Sequence, residues 1–147
     1  SCSTLSWIGD EAEFSSNSAG EYGGANDSRY STVSWDGDGT QFSSSSADFG
    51  GAINAYESTV SWDDDRTQFS FSPADYGRGF GGAIVASATS TVSWSGDGTQ
   101  FSSNSAGFGG AMHVDAISWT VSRNGDATQF SNNSAGAKME AQLARMV

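Results

Sequence analysis

Most of the residues that usually reveal a protein's chemistry are scarce in this 147-residue chain. It holds one cysteine (Cys2), one proline, one histidine (His113) and six Lys/Arg against 17 Asp/Glu, for a net charge of −11. A single cysteine excludes an intrachain disulfide framework. So few cations exclude nucleic acid as a partner, because phosphate binding needs clusters of Lys and Arg. An anionic membrane surface is disfavoured for the same reason. No apolar run approaches the roughly 18 residues of a membrane span, so no membrane insertion is expected. Large apolar residues are also few: Leu, Ile, Val and Phe occupy 22 positions, whereas 28 Ser and 19 Gly occupy 47. That composition alone lies on the disordered side of the usual line. What is present argues the other way. There are 18 aromatic residues (5 Trp, 9 Phe, 4 Tyr), and they recur at regular intervals.

Five copies of one unit can be superposed, most clearly Ser90-Thr-Val-Ser-Trp-Ser-Gly-Asp-Gly-Thr-Gln-Phe-Ser-Ser-Asn-Ser-Ala-Gly-Phe-Gly-Gly-Ala-Met112. The Phe after Gln or Glu falls at 14, 42, 69, 101 and 130, with spacings of 28, 27, 32 and 29 residues. A Gly-Gly-Ala triplet stands at 23–25, 50–52, 81–83 and 109–111. The longest spacing reflects extra residues around Tyr76-Gly-Arg-Gly79, which behave as a loop inserted on one face. Gly pairs and Ser runs are poor helix material. The apolar residues instead alternate: Val33 and Trp35 share one side of a strand, Thr32 and Ser34 the other. Each unit offers three short strands, Val-x-Trp, Gln-Phe-Ser and aromatic-Gly-Gly-Ala-Ile, with an Asp-Gly-rich turn between the first two.

Three strands per repeat, in register, make one rung of a coil that buries its apolar side only by stacking. The chain is therefore read as all-β, a right-handed parallel β-helix (β-solenoid) of about five rungs over 1–134. A short capping helix is expected over 135–147, where Met139, Leu143 and Met146 fall on one helical face. The expected columns are Leu5/Val33/Val60/Val92/Val121, Trp7/Trp35/Trp62/Trp94 and Phe14/Phe42/Phe69/Phe101/Phe130, with Tyr22/Phe49/Phe80/Phe108 beside them. Stacked rings then fill a cross-section too narrow to need many aliphatic residues. An antiparallel sandwich is the competing architecture, but it gives no reason for identical residues at identical positions. Beginning at Ser1 without Met, the chain reads as a mature product or as a piece of a longer one.

Gly-Gly-Ala-Ile (50–53 and 81–84) combined with Phe-x-x-Asn (Phe14/Asn17, Phe101/Asn104, Phe130/Asn133) resembles the repeats of chlamydial polymorphic outer-membrane proteins and related β-helical surface proteins. The resemblance implies a secreted or surface-displayed adhesin-like module. It also implies an Asn at an inside turn that ladders its amide with the next rung.

Several features are candidates for chemistry. Asp36, Asp38, Asp63, Asp65 and Asp97 recur in the turns, and stacking brings such carboxylates to about 4.8 Å from one another. A bridging Ca2+ removes their repulsion and suits oxygen-rich Asp-x-Asp-Gly loops; Asp and Gly also simply make turns. The second feature is an outward Thr-x-Ser row: Thr32, Ser34, Thr59, Ser61, Thr91 and Ser93 form a candidate ligand face. Such rows resemble the Thr-x-Thr rows of ice-binding solenoids, with Ser in the second rank. They also suit an ordinary solvated strand. Trp7, Trp35, Trp62 and Trp94 make a sugar-stacking surface if they face outward, and core if they share the Val side. His113 lacks a nucleophile elbow or His/Cys metal ligands, and Arg66 beside Asp63–Asp65 is the one grouping that resembles a polysaccharide-active site. Together these features predict a non-catalytic structural or adhesion module, extracellular or on the cell surface. Its partners are expected to be other protein chains or glycans.

Overall fold

The computed structural model describes residues 3–63, 65–70, 72–74, 79–115, 120–124 and 128–135. Its first sheet is Ser3–Ile8, Ser31–Asp36, Thr59–Asp63, Thr91–Ser95 and Thr120–Asn124, neighbours in that order. The second is Glu13–Ser15, Gln41–Ser43, Gln68–Ser70, Gln100–Ser102 and Gln129–Ser131. The third is Asn26–Arg29, Ile53–Tyr56, Ile84–Ser87 and Met112–Asp115. Each strand pairs in parallel with its counterpart one repeat away, Leu5 with Val33, Phe42 with Phe69 and Ile53 with Ile84. That pairing is the parallel β-solenoid, and it removes the antiparallel sandwich.

The coil makes about four turns rather than five. The fifth repeat supplies strands to the first two sheets and a short Ser134–Ala135 strand, but it lacks the Gly-Gly-Ala element that turns the chain into the third sheet. No helix occurs among the described residues. Ala135 lies in that strand, and the rest of the expected capping helix, 136–147, is outside the described residues.

Alternation places Val and Trp of the first sheet, Phe of the second and Ile/Ala of the third in one narrow core. Phe14, Phe42, Phe69, Phe101 and Phe130 stack with centroids 4.8 Å apart at every step. Carbon–carbon contact closes at about 3.5–4.0 Å, so rings held at the rung spacing are slipped, the offset that their quadrupoles favour. Trp35, Trp62 and Trp94 form a second column, 5.1 and 5.2 Å apart, tilted against the Phe column.

The inside-turn asparagine amides are satisfied along the same axis. Asn104, fully buried, accepts from the Ser72 backbone N–H at 3.0 Å and donates Nδ2–H to the Phe69 carbonyl (3.0 Å) and to Asn133 Oδ1 (2.9 Å). Asn133 in turn donates to the Phe101 carbonyl at 2.9 Å. This is the inside-turn amide ladder anticipated from the Phe-x-x-Asn pattern. Asn104→Leu should cost about 3 kcal/mol, because it strands a buried N–H and a buried carbonyl. The check is a urea denaturation midpoint; an unchanged midpoint would show the ladder to be dispensable.

Candidate functional site

Thr and Ser alternate with the buried Val and Trp of the first sheet, so their side chains line its outer side. Thr4, Thr32, Thr59 and Thr91 form one in-register rank, Ser6, Ser34, Ser61 and Ser93 a second. Strand geometry separates the ranks by about 6.6–6.8 Å and the members of a rank by about 4.8 Å. The expected ligand-face residues, Thr32, Ser34, Thr59, Ser61, Thr91 and Ser93, are thus brought together. Ser34, Ser61 and Ser93 line a shallow trough of about 420 Å³, with Asp36, Asp63 and Ser95 along it.

The five aspartates form two ranks, not one. Asp36 and Asp63 are paired in register at the strand ends, beside the trough. Asp38, Asp65 and Asp97 lie in the turn, in line with Asp10. There the carboxylates serve the backbone: Asp38 N–H donates to Asp10 Oδ1 at 3.1 Å, and Asp97 N–H to Asp65 Oδ1 at 2.7 Å. A short carboxylate reaches the adjacent turn's N–H, which explains why Asp recurs there. Arg66, expected beside the acidic run, lies 3.8 Å from Asp38 as an exposed ion pair. Among the described residues no three of His, Cys, Asp or Glu are grouped to hold a metal ion. Because Asp10 and Asp65 already accept from backbone N–H groups of the adjacent turn, the melting temperature is expected to be the same in millimolar calcium and in EDTA. A calcium-dependent rise of several degrees would assign the turn carboxylates to a cation after all.

Three of the tryptophans are core. Trp35, Trp62 and Trp94 are 2–3% exposed with their faces against one another, so they provide no sugar-stacking surface. Trp94 Nε1–H reaches Thr128 Oγ1 at 3.2 Å. Tyr22, Phe49, Phe80 and Phe108 do stack, at 5.1, 5.4 and 5.0 Å, but only partly buried and outside the central cluster. Phe80 packs on His113, 4.8 Å away. The lone histidine belongs to this outer layer.

One constellation has no counterpart among the residues singled out from the sequence. On the third sheet Asn54 Nδ2–H donates to Asp27 Oδ1 at 2.7 Å, and Arg29 Nε lies 3.1 Å from Asp27 Oδ2. The Arg29 guanidinium sits 4.3 Å over the Tyr22 ring, and Tyr30 meets Tyr56 edge-on at 5.7 Å. Tyr30 and, to a lesser degree, Glu57 hold the Tyr56 hydroxyl above the usual tyrosine pKa, as neighbouring acidic groups disfavour the phenolate. The available signal was a departure from the repeat. The first copy has Asn26-Asp-Ser-Arg29 where the second has Ile53-Asn-Ala-Tyr56 and the third Ile84-Val-Ala-Ser87.

No protein family, curated protein or solved structure matches the chain.

Proposed function

We propose that this chain is a non-catalytic structural or adhesion module, extracellular or at the cell surface, that binds or assembles through the outer side of its first sheet. The observation that carries the reading is the in-register Thr and Ser ranks, repeated on successive rungs beside a continuous trough. A catalytic centre calls for one irregular constellation of acid, base and substrate-holding groups. This face presents instead the same two hydroxyls per turn, which suits an extended or repetitive partner, another protein chain or a glycan. The likeness of the Gly-Gly-Ala-Ile and Phe-x-x-Asn pattern to chlamydial surface-protein repeats points the same way for location. It rests on those residues alone.

The test replaces Ser34, Ser61 and Ser93 together by Arg, filling the trough while leaving unchanged the core residues Trp35, Trp62 and Trp94 that also line it. Beads coated with the parent chain are expected to clump with one another or to attach to polysaccharide-coated surfaces. The triple variant, with an unchanged circular dichroism melt, should lose most of that attachment. Equal attachment by parent and variant would sink the reading.

The regular two-rank array also supports ice binding as a second reading. A gap between melting and freezing temperatures that disappears in the triple variant would favour it over adhesion. No gap in the parent chain would dismiss it.

A further inference from the structure

We propose that the outer side of the third sheet, at its first two turns, is a binding site for a neutral saccharide. Tyr30 and Tyr56 would supply the stacking surface, and Asp27 and Arg29 the hydrogen bonds. This lies on a different sheet from the Thr/Ser trough and stands independently of the role given to that trough.

The first argument is position. A β-solenoid repeats whatever its core demands, so residues that break the pattern on an outward surface are not explained by stacking. Three of the chain's four tyrosines and one of its few arginines collect here. Tyr and Arg are also the residue types that most often carry binding energy at recognition sites.

The second argument is charge. The chain as a whole carries −11; here Asp27 and Arg29 pair at 3.1 Å and cancel, while Glu57 stands beside the Tyr56 hydroxyl. An anionic ligand would be repelled by that remaining carboxylate, and an uncharged one would not. Sugar hydroxyls, each both donor and acceptor, match a carboxylate and a guanidinium held side by side. Asn54 is 2% exposed and bonded to Asp27, which fixes the Asp27 carboxylate before any ligand arrives. Arg29 uses Nε toward Asp27, and its half-exposed side chain has further N–H groups in the same planar fork.

The third argument is ring geometry. In the Phe and Trp columns each ring covers its neighbour's face. Tyr30 and Tyr56 instead meet at an interplanar angle of 77°, and they are 51% and 38% exposed. An edge-on pair leaves ring face open. The electron-rich face attracts the slightly positive C–H groups on the apolar side of a pyranose, as it attracts the positive edge of another ring.

The experiment is isothermal titration of the full chain with cellohexaose, laminarihexaose, mannohexaose and xylohexaose in turn. At least one is expected to bind saturably with a dissociation constant of about 1 mM or tighter. Tyr56→Ala and Arg29→Ala should each weaken that binding by about tenfold or more at an unchanged melting temperature. Gln68→Ala, on the second sheet, should bind as the parent does. Tyr56→Phe guards against a folding effect, because it keeps the ring and should retain most of the affinity. Failure of all four sugars to bind overturns the proposal. So does a sugar that binds Tyr56→Ala and Arg29→Ala as tightly as the parent, a result that would move the site to another face.

Discussion

Gly82→Ala should be among the most damaging single-methyl additions in this protein, at about 4 kcal/mol or more, a large share of what a domain has to lose. A Cβ at Gly82 would lie 2.0 Å from the Gly110 carbonyl oxygen and 2.7 Å from the Ser105 backbone nitrogen. Neither atom belongs to a flexible side chain. The backbone cannot step aside either, because Gly82 N–H and Ala83 N–H are bonded to the next rung at Gly109 and Ala111. The same clash recurs one rung away, where Gly51 faces the Gly82 carbonyl oxygen at 2.2 Å. The two glycines of each Gly-Gly-Ala triplet therefore do different work. Gly81 adopts φ +58°, a left-handed turn, whereas Gly82 permits contact between rungs. Gly20→Ala is the control: nothing lies within 4 Å of its Cβ, so its effect should stay within about 0.5 kcal/mol. Equal urea midpoints for the two variants would show that the rungs do not come into backbone contact at Gly82.

Phe69→Ala should cost about 3–5 kcal/mol. Phe69 is fully buried, stacked on Phe42 and Phe101 at 4.8 Å and tilted against Trp62 at 5.6 Å. Its removal opens a cavity that rung spacing prevents from closing, since neighbouring backbones are tied at every hydrogen bond. Phe130→Ala removes the same side chain from the same column but should cost only about 1–2 kcal/mol. Phe130 is 42% exposed and stacks on Phe101 alone in its column. Parallel urea titrations of the two variants test the column as the main source of stability. A Phe130→Ala loss as large as that of Phe69→Ala would contradict it.

The repeat was legible in the sequence because a solenoid core is periodic. A residue that must stack on its own counterpart has to be the same residue in each copy, so Val33, Trp35 and Phe42 announce their columns by recurrence. The Asn ladder was implied instead by the resemblance of Phe-x-x-Asn to the surface-protein repeats, since Asn stands at that position in three of the five copies. The number of turns was overestimated because the fifth copy keeps the Gln-Phe-Ser strand but loses the Gly-Gly-Ala turn, and recurrence of one strand does not complete a rung. Tyr22, Phe49, Phe80 and Phe108 recur as faithfully as the core phenylalanines yet lie outside the central cluster. Periodicity shows that residues stack without showing on which side of the strand they do so.

The candidate sites divide along the same line. Thr32, Ser34, Thr59, Ser61, Thr91 and Ser93 were recognisable as a face because they repeat. The Asp27–Arg29–Asn54 cluster with Tyr30 and Tyr56 was not, because its members come from different copies and share no motif. From the sequence alone came the all-β class, the parallel coil, the stacking columns and the alternation that turns Thr and Ser outward. All of these follow from recurrence at fixed spacing, a one-dimensional property. Only the tertiary structure distinguished carboxylates that cap neighbouring turns from those beside the trough, and brought three tyrosines to the Asp27–Arg29 ion pair on the third sheet. Those relations depend on which residues of successive turns lie beside one another across a sheet, and a residue that occurs only once gives no spacing from which to read its neighbours.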